Sequence, residues 1–253
     1  MSSLNSNSNI HIFILCYNES VLLPHTVAHY RRYLPSAKIT IYDNESTDNS
    51  AAIARSLGCD VIAFSSENIL NDYVNQSIRN QCWLDIASGW ILTLDMDEWL
   101  CVTESDLARE YALGTTILSV KGVNMIGESQ TEDLADIDLH AIRKGVDHDS
   151  ESKPLCFLRD RIAKMEYSRG GHSCEPVGIC GGPVRYSECV YINKHMDILG
   201  APFFIKKMLT RHARAHVMRE RGMAGHYITD IDEITRKYYE NLTKARDIDI
   251  LDY

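Results

Sequence analysis

The feature that most limits how this chain can fold is an alternation of short apolar runs and amphipathic stretches over its first hundred residues. Residues 10–16 (IHIFILC) form an apolar run of the kind a buried parallel strand shows. Residues 18–34 follow with Leu23, Val27, Tyr30 and Leu34 at helical spacing. Residues 38–42 (KITIY) predict a second strand ending at Asp43, after which Ser46 is expected to cap a helix that stops at Gly58. Residues 60–64 (DVIAF) read as a third strand. The next helix places Val74, Ile78, Cys82 and Ile86 on one face and ends at Gly89. Residues 90–94 (WILTL) make the fourth strand. Repeated strand–helix units imply an α/β fold, a mostly parallel central sheet with helices on both faces. Ligands in such sheets bind beyond the carboxyl ends of the strands. Three polar clusters fall there: Tyr17-Asn18-Glu19, Asp43-Asn44-Glu45 and residues 95–98 (DMDE).

The second half is less regular. Residues 115–120 and 162–165 and residues 190–193 read as strands, residues 128–151 as a long acidic loop, and residues 170–182 as a Gly-rich stretch. Residues 203–221 predict a basic helix carrying Lys206, Lys207, Arg211, Arg214, Arg219 and Arg221, and a helix near 232–247 closes the chain. That basic helix could grip a diphosphate, dock on an acidic glycan or membrane surface, or be an ordinary solvated face. No interdomain linker is visible, so residues 10–253 are expected to form a single domain behind a loose tail at residues 1–9.

Charge narrows the class. Lysine and arginine total 26 against 35 aspartates and glutamates, a net charge of −9, which disfavours binding to a nucleic-acid backbone. No apolar run approaches the ~20 residues of a bilayer span, and the tail lacks the basic and apolar regions of a signal peptide. A cytoplasmic location is expected. The eight cysteines contain no C-x-x-C pair and read as reduced, small hydrophobes. Zinc in Cys174, Cys180 and Cys189 is the alternative, at spacings that fit no common zinc module.

The sharpest motif is L-D-M-D-E-W at residues 94–99. Two carboxylates two residues apart, just past a strand, can project toward one site when the chain turns there. A hard divalent cation accepts such oxygens and keeps room for phosphate. A solvated acidic turn is the plain alternative.

Four segments together carry a resemblance: C-Y-N-E at 16–19, Y-D-N-E-S-T-D at 42–48, I-R-N at 78–80, and L-D-M-D-E-W. In order and spacing they resemble the nucleotide-sugar glycosyltransferases of the GT-A fold, family 2 in particular, across residues 10–100. The chain is also similar to small glycosyltransferase domains encoded by large DNA viruses. The resemblance implies a Rossmann-like GT-A domain with a helical C-terminus. Residues 10–100 would be its nucleotide-binding half and residues 101–253 its acceptor-binding half. It further implies a sugar moved from a nucleoside-diphosphate donor, UDP foremost, to a glycan or glycoconjugate hydroxyl, with Mn²⁺ or Mg²⁺ as cofactor.

Carried over residue by residue, Leu15, Cys16 and Tyr17 would wall the nucleobase, with Asn18 and Glu19 beside them. Asp43 and Asn44 would accept hydrogen bonds from the base, and Arg79 would reach the nucleotide. Asp95 and Met96 would lie near the ribose, with Asp95 assisting at the metal. Asp97 would be the main metal ligand and a catalytic residue. Tyr17 could instead pack in the core, and Arg79 could pair with Asp72 or Asp85.

Among late histidines, His195, just after a predicted strand, is favoured as the third ligand. His172 in G-G-H-S-C-E-P is assigned to the diphosphate or acceptor. An inverting enzyme needs a general base; Asp147, Asp149, Glu166 and Glu175 are candidates, Glu175 nearest the Gly-rich stretch. Stereochemistry and oligomeric state stay open. The rivals are a phosphatase of the haloacid dehalogenase type, a nucleotidyltransferase on a similar fold, and a glycan-binding relative without catalysis. The phosphatase motif would continue with Gly-Thr on the first strand, and the nucleotidyltransferase would carry a Gly-rich loop after it. Neither is present.

Overall fold

The computed structural model describes residues 9–248; the tail at residues 1–8 lies outside the described residues. Its first half runs β1 (Ile10–Cys16), α1 (Leu23–Tyr33), β2 (Lys38–Asp43), α2 (Ser50–Ser56), β3 (Asp60–Ala63), α3 (Asp72–Gln81) and β4 (Trp90–Asp95). The strands lie in the order β4-β1-β2-β3, all parallel, with Ile10 opposite Trp90 and Ile12 opposite Ile39. All four therefore end at one rim.

After β4 come β5 (Glu98–Leu100), α4 (Glu104–Leu113), β6 (Ile117–Ile126), β7 (Lys144–Asp147) and β8 (Cys156–Leu158). Then follow β9 (Ile162–Lys164), β10 (Val177–Gly178), β11 (Tyr186–Ile198), α5 (Ala201–Arg214), α6 (His216–Glu220), α7 (Ile231–Lys244) and β12 (Arg246–Asp247). Short β8 is antiparallel to both β4 and β6 and joins the halves into one ten-stranded sheet. β11 runs parallel to β6 and antiparallel to β5. The expected α/β architecture, a largely parallel central sheet between helices, is present, with antiparallel strands confined to the later half.

The core follows the pattern that predicted it. Ile12, Ile14, Ile41 and Leu92 are fully buried in the sheet, against Val27 and Tyr30 of α1. Trp83 and Phe157 anchor a second cluster edge to face, and Phe204, Met208, Ile234 and Tyr238 join α5 to α7.

Several boundaries differ from the sequence reading, each for a visible reason. Helix α1 starts only at Leu23, because the residue 18–20 amides bond to the β2–α2 loop: Asn18 N to Ser46 Oγ, Glu19 N to Ser50 Oγ, Ser20 N to Asp48 Oδ2. Ser46 is thus engaged elsewhere and caps nothing; α2 begins after Asn49 without a side-chain cap. Helix α3 ends at Gln81 rather than Gly89. The acidic stretch 128–151 contains β7, paired to β6. The single basic helix is two, α5 and α6, because the Arg214 carbonyl accepts from Leu70 N instead of continuing the helix.

Candidate functional site at the carboxyl rim

The parallel strands end beneath α5, and between them opens a cavity of about 340 Å³. From the strand side it is lined by Leu15, Cys16, Tyr17, Asn18, Glu19, Asn44, Asp95, Met96 and Asp97. From the helix side Phe203, Lys206, Lys207, Arg211 and Arg214 face it. An acidic strand rim thus meets a basic helix face.

Asp97 reaches this position because the chain turns at Met96 and then pairs again. β5 lies against β11, with Glu98 opposite His195, and Met196 N donates to the Asp97 carbonyl. Alternation along β11 puts His195 and Asp197 on one face. Asp97 Oδ2 lies 2.5 Å from Lys207 Nζ, 2.9 Å from Arg211 Nη2 and 3.3 Å from His195 Nε2. Lys207 Nζ is also 2.7 Å from Asp197 Oδ1. Burial opposes ionisation of Asp97, but Lys207, His195 and Arg211 outweigh it and hold its pKa well below the ordinary range. Asp197 is lowered in the same way, against its own burial, by Lys207, His195 and Arg211.

His195 Nδ1 donates to Asn124 Oδ1 at 2.7 Å, so Nε2 is the nitrogen directed at Asp97. Burial alone would lower its pKa; the Asp97 carboxylate raises it instead. Among the described residues, Asp97, His195 and Asp197 form a group with ligand atoms all within 4.8 Å of one another. Two carboxylates and an imidazole suit a divalent cation such as Mn²⁺ or Mg²⁺, so these residues fit one.

Asp95 is held differently. Its Oδ1 pairs with Arg79 Nη2 at 2.5 Å and its Oδ2 with Lys153 Nζ at 3.4 Å. Arg79 is only 3% exposed, donates to the Thr93 carbonyl, and does not line the cavity. It braces Asp95 from below, in place of the surface pairing with Asp72 or Asp85. Lys153, itself buried, also bridges Glu98 (2.8 Å) and Glu151 (3.0 Å). Burial pushes the Glu98 carboxyl up to about 6. Gly122 makes this possible: a Cβ there would stand 2.3 Å from the Glu151 carbonyl carbon.

At the base end, Tyr17 stands at the cavity with Arg214 stacked on its ring at 3.3 Å and its hydroxyl donating to Asn68 Oδ1. Asn18, at φ +51, accepts from Thr47 N and Asp48 N and ties the first two strand ends together. Asn44 exchanges hydrogen bonds with Ser66. Asp43 is buried beside it, with Oδ2 accepting from Ser46 N and Oδ1 lacking any hydrogen-bond partner. Glu19 is pushed up to about 7, mainly by burial, with Asp97 and Asp197 adding to the rise.

No family model matches the chain. A curated relative, Protein RfbJ of Shigella flexneri, is 36% identical over 53 residues, which are 21% of this chain and 41% of the relative. This chain spans less than half the length of that relative. Among solved structures, S. aureus TarS is similar over 92% of this chain and 43% of its own, at TM-score 0.43 and 12% identity. Glucosyl-3-phosphoglycerate synthase from Mycobacterium tuberculosis, solved with Mn²⁺, UDP and glucosyl-3-phosphoglycerate, is similar over 46% of this chain and 44% of its own. The TM-score there is 0.31 and the identity 15%. At these scores the neighbours bear on neither donor nor acceptor.

The remaining sequence candidates lie elsewhere. His172 is exposed, and its Nδ1 donates to the Ser150 carbonyl, latching the turn that carries Glu151. Glu175 and Glu166 border a separate hollow of about 570 Å³ with Gln76, Asn80 and Tyr167. Asp147 pairs with Lys121 and Arg246 on the surface, and Asp149 is exposed. The cysteines are unpaired thiols; Cys16, Cys59, Cys101 and Cys156 are buried. No described helix is long and apolar enough to cross a membrane.

Sequence reasoning passed over Asp197, Glu151, Lys153 and Asn124. Asp197 had a signal, since H-M-D at 195–197 repeats the one-residue skip of D-M-D at 95–97. Lys153 and Asn124 had none: a lone lysine before proline and an asparagine in a strand are unremarkable.

Proposed function

We propose that this protein transfers a sugar from a nucleoside-diphosphate donor, UDP foremost, to a hydroxyl of a glycan or related acceptor. The observation that carries the reading is the Asp97–His195–Asp197 group, its first two members buried and Asp197 partly so, at a strand-end cavity roofed by Lys207, Arg211 and Arg214. A diphosphate needs cationic groups along its length, and α5 presents them on one face. Tyr17 and Arg214 offer a surface for a base. Asp43 does not line the cavity, but it is buried next to Asn44, which does, and its Oδ1 has no hydrogen-bond partner; were it reached by a base, it would accept from an imide N–H, which favours uracil. Mn²⁺ or Mg²⁺ held by Asp97, His195 and Asp197 would neutralise charge building on the leaving diphosphate. Asp95, oriented by Arg79 and Lys153, would accept from the ribose hydroxyls.

The test is a thermal-stability screen of nucleotide sugars with and without Mn²⁺, followed by calorimetry with the nucleoside diphosphates. A bound donor raises the melting temperature by mass action. UDP-sugars should do so with Mn²⁺, and Asp97→Asn should lose donor turnover while still unfolding cooperatively. Tighter binding of another nucleoside diphosphate would overturn the choice of uridine. Wild-type turnover by Asp97→Asn without metal would overturn the mechanism.

A further inference from the structure

The position between Asp97 and Asp197 already holds a cation. The Lys207 ammonium sits 2.5 Å from one carboxylate and 2.7 Å from the other. It is 8% exposed, and Arg211 completes the pair at 2.9 Å and 3.6 Å. Two carboxylates therefore face two cations, and these four charges balance, with His195 and Glu19 beside them. A divalent ion entering alone would add charge to a buried, balanced group, at a large desolvation and repulsion penalty. A nucleoside diphosphate entering with it supplies the missing negative charge and gives Lys207 a new partner. The ammonium has room to change partners: Lys207 lines the cavity, and its amine lies 5.7 Å from the Phe203 ring, which lines it too.

We propose that Lys207 is a resident counterion that holds Asp97 and Asp197 until a nucleoside diphosphate arrives, so that divalent metal and nucleotide each bind more tightly in the presence of the other. The inference rests on the donor-site reading above and adds to it a mechanism of coupling built into α5. Coupling of this kind is reciprocal: whatever factor UDP contributes to metal affinity, metal contributes to UDP affinity.

Mn²⁺ binding, read from the loss of the free-ion paramagnetic resonance signal, tests this without any turnover. In the wild type, UDP should tighten Mn²⁺ binding by about 10- to 100-fold, within the usual span of coupling energies. Lys207→Met keeps the stem and removes the charge. It should bind Mn²⁺ alone at least about tenfold tighter than wild type, with a correspondingly smaller effect of UDP. Lys207→Arg should keep the weak affinity for Mn²⁺ alone, and Lys207→Gln serves if the methionine variant does not fold. Equal Mn²⁺ affinity of wild type with and without UDP overturns the proposal, whatever the variants do. So does an unchanged affinity for Mn²⁺ alone in the uncharged variants while Mn²⁺–UDP still binds; that result leaves the donor-site reading standing. Failure of wild type to bind UDP at all, with or without Mn²⁺, removes both.

Discussion

Asp95 and Asp97 are two residues apart yet belong to different electrostatic neighbourhoods. Asp97 answers to α5 and β11, whereas Asp95 is clamped from beneath by Arg79 and from the side by Lys153. The Arg79 guanidinium is almost wholly buried and its Nε has no partner, so it is committed to Asp95 and the Thr93 carbonyl. Arg79→Met would leave Asp95 with Lys153 alone. Removing one partner of a buried pair costs about 3–5 kcal/mol; since the Asp95 side chain is 34% exposed, the expected loss is nearer ~2–3 kcal/mol. Urea titration should show that drop, and calorimetry should show weaker UDP binding as Asp95 loosens. Unchanged stability would mean that Arg79 is not what holds Asp95.

At the scale of elements, the site depends on how closely the turn at 149–151 approaches β6. Gly122 stands where any Cβ would enter the Glu151 backbone, and the Gly122 amide donates to Ser152 Oγ. Gly122→Ala should therefore push Glu151 and Lys153 outward together. Overpacking of this size typically costs about 1–3 kcal/mol, read as a lower urea midpoint. The variant should also bind UDP more weakly, because Lys153 would no longer steady Asp95. The same dependence explains α5: its register over the cavity is held by Lys207 and Arg211 on Asp97 and Asp197, and its end by Arg214 on the Asn68–Ile69 carbonyls.

Across the whole molecule, the buried charges set how stability responds to acid. Asp95, Asp97 and Asp197 have folded pKa values below their unfolded ones, each held down by cations against burial. Such groups stabilise above the unfolded carboxylate value of about 3.9, and that stability is lost as pH falls through the folded pKa. His29 adds to the same trend: burial depresses it to about 3, so keeping it neutral is harder at each step below its unfolded value of about 6.5. Glu19 and Glu98 act oppositely, because their raised values, about 7 and about 6, favour the folded state as pH falls toward the ordinary glutamate range. Between about pH 4.5 and 7 the glutamates offset His29; below that their gain is complete, and the losses from His29 and the aspartates continue alone. The urea midpoint should thus vary little from pH 7 to 5 and fall steeply below about pH 4.5. A steady midpoint down to pH 3 would contradict the charge arrangement described here.

The sequence by itself determined the first half of this protein. Apolar runs at β1, β2 and β4, separated by stretches of helical periodicity, predict buried parallel strands between helices, and the structure has them, with helix bounds that differ. The polar residues that follow each strand must then share a rim, which is why residues 15–19, Asn44 and 95–97 meet at one cavity. These are local regularities, and local regularities are written in the chain. Where Arg79 points, which carboxylate accompanies Asp97 and His195, and what cation lies between them were decided only by tertiary structure. Those outcomes depend on β5 pairing with β11, about a hundred residues apart, and on α5 folding back over the rim. Charge pairing among buried groups has no sequence period. It follows from which side chains the fold confines to the same few ångströms, where each must find a partner or remain a cost to the folded state.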